Sequence, residues 1–460
     1  MKRIGFLLGA LGLAGLAILA VATREDWLDR PVLGTGRSII IIDIDTLRAD
    51  HLGHYGYERE TSPSFDAFAA AATAFSWAFA QAPFTIPSQT SILTGLYPTH
   101  HGRIAVESAL PDSVVPLAEM LGEAGYRTAA FVDGGYMSTE YGLGRGFDLY
   151  DDRAGGLAEI GPRVEGWLDA NAAGEEPFLL LIHSYDVHTP YESSPEPYQS
   201  MFFIDGALPS AEFRAICGME MLRVWDGRNS EEPPSLTEEQ LAYLVDLYDG
   251  GIRYVDTWLG EFLAGLRERG LFDDALIVFL SDHGEEFLDH GGVMHDKLHT
   301  PVTRIPLVIK LPEQREGVEV DAVVESIDVL PTLLEAVGLR APEGIDGESL
   351  LPLVGGRAPA GDRIAVSESP FYGRSLAVAT DRHHMLISRR TKRVQLYEFR
   401  ADPREQADVS AEHPELSGRL AEYALRWHDA TEQAAHERKE VDGVRPATLE
   451  QLEALGYTGD

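Results

Sequence analysis

The chain has 460 residues, 44% of them apolar and 24% charged, which suits a folded large domain with a smaller companion and excludes a disordered polyelectrolyte. With 38 Lys and Arg against 74 Asp and Glu, the formal net charge is −36, which repels polyanions and argues against a nucleic-acid partner. A single cysteine, Cys217, excludes an internal disulfide framework and a cysteine-rich metal site.

Lys2 and Arg3 precede an apolar run from Ile4 to Ala22, closed by Arg24, Glu25 and Asp26. A basic start followed by a greasy segment has the form of an export signal, with Ala20-Val21-Ala22 as a small-x-small cleavage site. The run also approaches the roughly 20 residues of a single spanning helix. Residues 1–23 therefore read as a signal peptide or a membrane anchor. Either places the remainder in the periplasm or in an anchored, extracytoplasmic domain.

Five apolar runs then recur, each short enough for a buried parallel strand: Ser38–Asp45, Arg127–Asp133, Phe178–His183, Ala275–Asp282 and Ile305–Lys310. Helix-like stretches lie between them at Ser64–Phe75, Val115–Glu123, Leu157–Ala170 and Leu236–Arg269. The alternation predicts an α/β fold with a doubly wound, mostly parallel central sheet flanked by helices over residues 37–360. From about Arg363 the texture changes. Ser375–Thr380, His384–Ser388 and Val394–Phe399 read as short antiparallel strands, and Pro414–Arg438 and Leu449–Tyr457 as helices. Residues 361–460 are thus expected to form a small α+β subdomain.

Asp45, Asp133, His183 and the pair Asp282-His283 fall at the carboxyl ends of predicted strands, the rim where open α/β sheets bind ligands. Asp45 closes the motif Ile42-Asp43-Ile44-Asp45, and a carboxylate there is a ready hard-metal ligand. Pro87-Ser88 and the apolar-periodic run to Gly95 predict a helix start, with Thr85 just before it. A hydroxyl there feels unpaired backbone N–H groups and the positive end of the helix dipole, which favour an alkoxide and a bound oxyanion. Adjacent Asp282 and His283 can reach one metal where the strand turns, and His290, His295 and Lys297 follow closely. His183 and His188 flank another turn and suit leaving-group protonation or a further metal position.

Taken in order, IDTLRADHLG at 44–53, PSQTSILTGLYP at 87–98, HSYDVHTPY at 183–191, SDHGEEFLDHG at 281–291, RIPLVIK at 304–310 and LYEFRADPRE at 396–405 make the chain resemble the sulfatase branch of the alkaline phosphatase superfamily. LEALGY at 452–457 resembles the ending of bacterial members. The resemblance implies an α/β sandwich with a C-terminal subdomain. It implies one divalent metal ion held by Asp45, Asp282, His283 and Thr85. Three oxygens and one nitrogen suit Mn²⁺ or Zn²⁺ better than Ca²⁺. It also implies Thr85 as nucleophile, His188 with His183 beside the ester oxygens, and His295 and Lys297 holding the anion or serving the leaving group. Thr46 stands where many sulfatases carry a second Asp, so that ligand is expected to be missing.

One departure decides the expected chemistry. Sulfatases convert Cys or Ser in a C/S-x-P-x-R element to formylglycine. Here the element reads Thr85-Ile86-Pro87-Ser88-Gln89, with neither the convertible residue nor the arginine. An aldehyde hydrate expels sulfate through its second hydroxyl. A threonine ester has none, so release requires attack on the central atom. The expectation is a metal-dependent hydrolase cleaving a small anionic sulfate, phosphate or phosphonate ester, with phosphorus esters favoured. The alternatives are an envelope phosphoethanolamine- or phosphoglycerol-type transferase and a non-catalytic sulfatase-fold binding protein.

Overall fold

The computed structural model describes residues 36–174, 176–203, 209–226, 235–357, 362–370 and 374–455. The expected signal or anchor at 1–23 lies outside the described residues, and the expected boundary at 360/361 falls on residues 358–361, which also lie outside them. Among the described residues no helix is long and apolar enough to cross a membrane.

The elements that place the site run as follows: β1 (Ile39–Ile44), α1 (Pro63–Ala69), β2 (Thr73–Phe79), α2 (Thr85–Thr94), α3 (Leu117–Glu123), β3 (Arg127–Phe131), β4 (Leu149–Asp151), α4 (Gly156–Asn171), β5 (Phe178–Ser184), α5 (Ala211–Asp226), α6 (Glu238–Glu268), β6 (Leu276–Leu280). A hairpin, β7 (Glu286–Phe287) and β8 (Val293–Met294), leads into β9 (Arg304–Ile305), β10 (Leu307–Lys310), β11 (Val318–Glu325) and α7 (Val329–Ala336). The C-terminal part holds β12 (Ala365–Glu368), β13 (Ser375–Ala379), β14 (His384–Ser388), β15 (Val394–Tyr397), α8 (Pro414–Ala434) and α9 (Pro446–Ala454).

The main sheet has nine strands: β2-β10-β6-β1-β5-β3-β4 in order, with β9 preceding β10 along one edge of β2 and β11 on the other. β1, β3, β4, β5 and β6 are mutually parallel. β1 lies at the centre and is buried along its whole length. Its isoleucines alternate between two cores: Ile40, Ile42 and Ile44 join Phe65, Val164 and Leu259 on one face, whereas Ile39 and Ile41 join Leu93, Leu121 and Leu330 on the other. Helices thus cover both faces, the condition under which parallel strands read as unbroken apolar runs. A separate antiparallel sheet, β12-β13-β14-β15, packs its apolar face on α8 through Leu376, Val378, Met385 and Ala424.

Three expectations are corrected. Ser64–Phe75 is not one helix: α1 stops at Ala69 and Thr73–Phe79 is a strand. Alanines favour helix locally, but here both edges of β2 find ladder partners, and pairing outweighs propensity. Ile305–Lys310 is broken at Pro306, which has no N–H to give a ladder, and both pieces run antiparallel to β2. The helix at the nucleophile motif starts at Thr85, two residues earlier than Pro87 predicts. Strands β11 and β12 were not anticipated, although the alternation in VEVDAVVE is a period-two signal.

Candidate active site

The carboxyl ends of β1, β5 and β6 meet the first turn of α2. Asp45, Thr85, His183, Asp282 and His283 are all buried there. Thr85 Oγ1 donates to Asp45 Oδ2 at 3.0 Å. His183 Nε2 lies 3.4 Å from the same oxygen. His283 Nε2 lies 3.4 Å from Asp282 Oδ2 and 3.9 Å from Asp45 Oδ1. Thr85 is the first residue of α2, Phe84 is its N-cap, and no side chain caps the helix. The Thr85 hydroxyl is therefore not a helix cap. It points at a carboxylate.

The loops carrying these groups are tied together. Leu47 N–H donates to Ser281 Oγ at 2.9 Å, whose hydroxyl donates to the His283 carbonyl at 2.6 Å. Ser88 Oγ donates to the Asp282 carbonyl at 2.6 Å, fixing α2 against the end of β6. Thr46 adopts φ 58° and turns its hydroxyl back to the Asp45 carbonyl at 2.7 Å, so it adds no ligand. Arg48 is spent on Asp50 and Asp289, and His51 on Asp249, so both brace the first loop.

The donor set fits a divalent cation. One atom each from Asp45, Asp282 and His283 lies within 4.8 Å of the others. Among the described residues Asp45 Oδ1, Asp282 Oδ2 and His283 Nε2 are buried without a hydrogen-bond partner. Buried polar atoms left unpaired are expensive unless something binds them. His283 Nδ1–H donates to the Gly284 carbonyl at 3.0 Å, so Nε2 presents its lone pair, the usual arrangement of a metal-ligating imidazole. Burial and the neighbouring Asp282 carboxylate push Asp43 and Asp45 well above the ordinary carboxylate range. A bound cation would offset that repulsion.

Further imidazoles extend from this cluster. Burial, and next the nearby His283, hold His183 down to about 3; burial, and next His295, do the same to His188. Tyr185 wedges between them, its ring 4.7 Å from that of His183 and 5.4 Å from that of His188. His295 lies 4.6 Å from His283 and 5.1 Å from His188, ring to ring, and its Nδ1–H donates to Glu285 at 3.1 Å. His188 Nδ1–H donates to the Thr189 carbonyl at 2.6 Å. Lys297 lies apart from this group: its ammonium donates to Glu286 at 3.3 Å and to the His290 carbonyl at 2.6 Å, within the β7–β8 hairpin.

A cavity of about 480 Å³ adjoins the loop after His188 and the residue before His295; Thr189, Arg214, Tyr243, Met294 and Leu455 are among its walls. Residues 453–455 were not expected to reach it, because contact between the chain's end and its middle leaves no local signal. Glu285 was also missed as an anchor, although it sits inside the SDHGEE motif; burial pushes it up to about 7. Asp43 was missed because within β1 it reads as a polar break in an apolar strand.

Residues 37–339 match the family model described as Sulfatase, and residues 289–422 match the one described as N-sulphoglucosamine sulphohydrolase, C-terminal. The chain belongs to the sulfatase family. It is an ester hydrolase of the alkaline phosphatase superfamily. It is 26% identical over 374 residues to an ulvan-active sulfatase of Formosa agariphila, covering 74% of this chain and 69% of that protein. It is 29% identical over 305 residues to the multifunctional alkaline phosphatase superfamily protein PehA of Trinickia caryophylli, covering 58% and 59%. Among solved structures it resembles a phosphonate monoester hydrolase from Silicibacter pomeroyi, with a TM-score of 0.69, 23% identity, and coverage of 86% of this chain and 96% of that one. At that identity the likeness establishes the fold. Members of the sulfatase family are metal-dependent, and the cluster at Asp45 supplies candidate ligands.

Proposed function

We propose that this sulfatase-family chain is a metal-dependent hydrolase of small anionic esters, with Thr85 as nucleophile and phosphate or phosphonate esters preferred over sulfate. One observation carries the proposal: the Thr85 hydroxyl is bonded to Asp45 at 3.0 Å, beside three buried ligand atoms with no other partner. Names among the relatives span both sulfate and phosphonate esters, so they leave the choice to the nucleophile.

Asp45, Asp282, His283 and Thr85 would hold the ion. When bound, it supplies Lewis acidity toward the hydroxyl and shields the ester's negative charge. Thr85 Oγ1 passes its proton to the Asp45 carboxylate it already donates to and attacks the phosphorus or sulfur in line with the leaving oxygen. That bond breaks and a Thr85 ester forms. His188, kept neutral by burial, gains affinity for a proton when an anionic ester lies beside it, takes one from solvent as the ester enters and passes it to the leaving oxygen. His183 and His295 border the same space and can take a proton from the water that then attacks the central atom. No second hydroxyl exists to expel sulfate by elimination, which is why phosphorus esters are favoured. Most of the acceleration would come from positioning and fixed charge. Lys297 takes part only by leaving its hairpin partners. Residues 1–23 would export or anchor the chain.

The test is a parallel screen of aryl sulfate, phosphate monoester, phosphate diester and phosphonate ester with metal-analysed protein and its Thr85→Ala variant. The expected result is a loss on the order of 10³-fold or more on every substrate with metal content nearly unchanged. Full activity of the variant on all four would overturn the assignment.

A further inference from the structure

We propose that the cavity beside His188 receives the alcohol portion of the ester, and that the C-terminal helix α9, through Leu455, sets which alcohols it accepts: apolar ones of aryl size. The hydrolase reading supplies the bond that breaks, and the cavity supplies the selection. The LEALGY segment, whose leucines are Leu452 and Leu455, thereby gains a role.

The space has a volume of about 480 Å³, within the range of small-molecule pockets. Thr189 lies on one wall, and its carbonyl takes the Nδ1–H of His188 at 2.6 Å. The proposed proton donor to the leaving oxygen is thus one residue from the cavity. Met294 lies on another wall, one residue before His295. An alcohol released between these imidazoles has this space next to it. The polar walls answer one another: Tyr243 donates to Glu192 at 2.7 Å, and Arg214 stands 3.9 Å from the same carboxylate oxygen. What remains for an incoming group is apolar contact, chiefly with Leu247, Met294 and Leu455.

Leu455 is held in place by the anchorage of α9. Leu452 is buried in the same core as Ile42 and Val164. The Gly135 amide donates to Gln451 Oε1 at 2.9 Å. The Thr448 hydroxyl and Arg445 Nε both donate to Glu140 Oε1, at 2.9 and 2.7 Å. The loop after β3 therefore grips both ends of the helix. Gly135 adopts φ 55°, and a Cβ there would meet Leu455 Cδ1 at 3.0 Å and the Tyr185 ring at 3.2 Å. Leu455 and the ring that wedges between His183 and His188 thus close on the same glycine. A side chain fixed in this way presents a constant surface, which selection by shape requires.

The experiment compares the full-length protein with Leu455→Ala and Leu455→Met. One arm titrates each with naphthol, the free alcohol, and follows its fluorescence. The parent should bind it saturably, Leu455→Ala about tenfold more weakly, and Leu455→Met nearly as the parent does, because methionine restores the apolar length. The other arm measures kcat/KM on the trifluoroethyl and naphthyl esters of one phosphonate. The ratio of variant to parent on each ester cancels the difference in leaving-group reactivity. Leu455→Ala should lose about tenfold more on the naphthyl ester than on the trifluoroethyl ester, mostly in KM, with circular dichroism matching the parent. No saturable naphthol binding, or equal affinity in Leu455→Ala, would overturn the wall. Equal losses on the two esters would overturn the assignment of the cavity to the leaving alcohol. Failure of the hydrolase reading looks different: the parent would turn over no ester while naphthol binding still answered to Leu455.

Discussion

At the scale of single residues, the site concentrates negative charge where water cannot reach it. Asp43, Asp45 and Asp282 are buried within one small region. Asp45 gains one hydrogen bond from Thr85, whereas Asp43 faces the Gln89 side chain and the Asp282 backbone. Three carboxyls in low dielectric cannot all ionise unless a cation compensates them. Asp43 is not among the candidate ligands, so beside a bound ion it would supply field rather than a bond. Asp43→Asn keeps the shape and removes that field. The expected outcome is about a tenfold weaker metal dissociation constant with full occupancy at saturation, against outright loss in Asp282→Asn. An unchanged constant in a metal titration would mean that Asp43 is already protonated.

At the scale of elements, α6 is the clamp. Tyr248 on this helix accepts from the Arg48 amide at 2.8 Å and donates to the Thr46 carbonyl at 2.7 Å, so it holds the loop after β1. One residue on, Asp249 holds His51 and Tyr57. The next two residues are glycines, each of which disfavours a helix interior by about 1 kcal/mol relative to alanine. The reason is close approach: a Cβ on Gly250 would sit 2.3 Å from the Tyr198 carbonyl, and one on Gly251 3.1 Å from the Asp186 carbonyl. Both carbonyls belong to the segment that carries His188. Gly250→Ala must push that segment outward. We expect a loss of roughly 2–4 kcal/mol in unfolding free energy and a lower kcat, measured by denaturant titration and steady-state kinetics. Unchanged stability would mean that the segment yields freely and that the helix does not position it.

At the scale of the whole molecule, many imidazoles are buried as neutral groups, which makes the fold sensitive to acid. His101 is remote from solvent, with Nε2–H donating to the Pro87 carbonyl at 3.2 Å and Nδ1 accepting from the Arg103 amide at 3.0 Å. Burial holds it down to about 3, against about 6.5 when unfolded. Between those values the unfolded chain binds a proton that the folded chain refuses. Stability is therefore unpenalised above about pH 6.5 and falls as the pH drops toward 3, by up to about 1.4 kcal/mol per unit for each such group. Urea midpoints measured from pH 7 to 4 should fall, and less steeply in His101→Gln. Equal slopes for parent and variant would remove His101 from the cause.

The sequence by itself determined the sheet's central strands, the carboxyl-end rim and the identity of the chemical groups on it, because these are local patterns: isoleucine runs at β1, an Asp or His at each strand end, a hydroxyl at a helix start. It did not determine which edge of the sheet β2 and β11 occupy, since alanine-rich and alternating segments take their state from the strands they meet. It could not show that Lys297 is engaged in its own hairpin, that Glu285 anchors His295, or that residues 453–455 wall the cavity. The first two rest on how the chain turns back within a short hairpin and the third on contact between its end and its middle, and only the folded backbone brings such groups together.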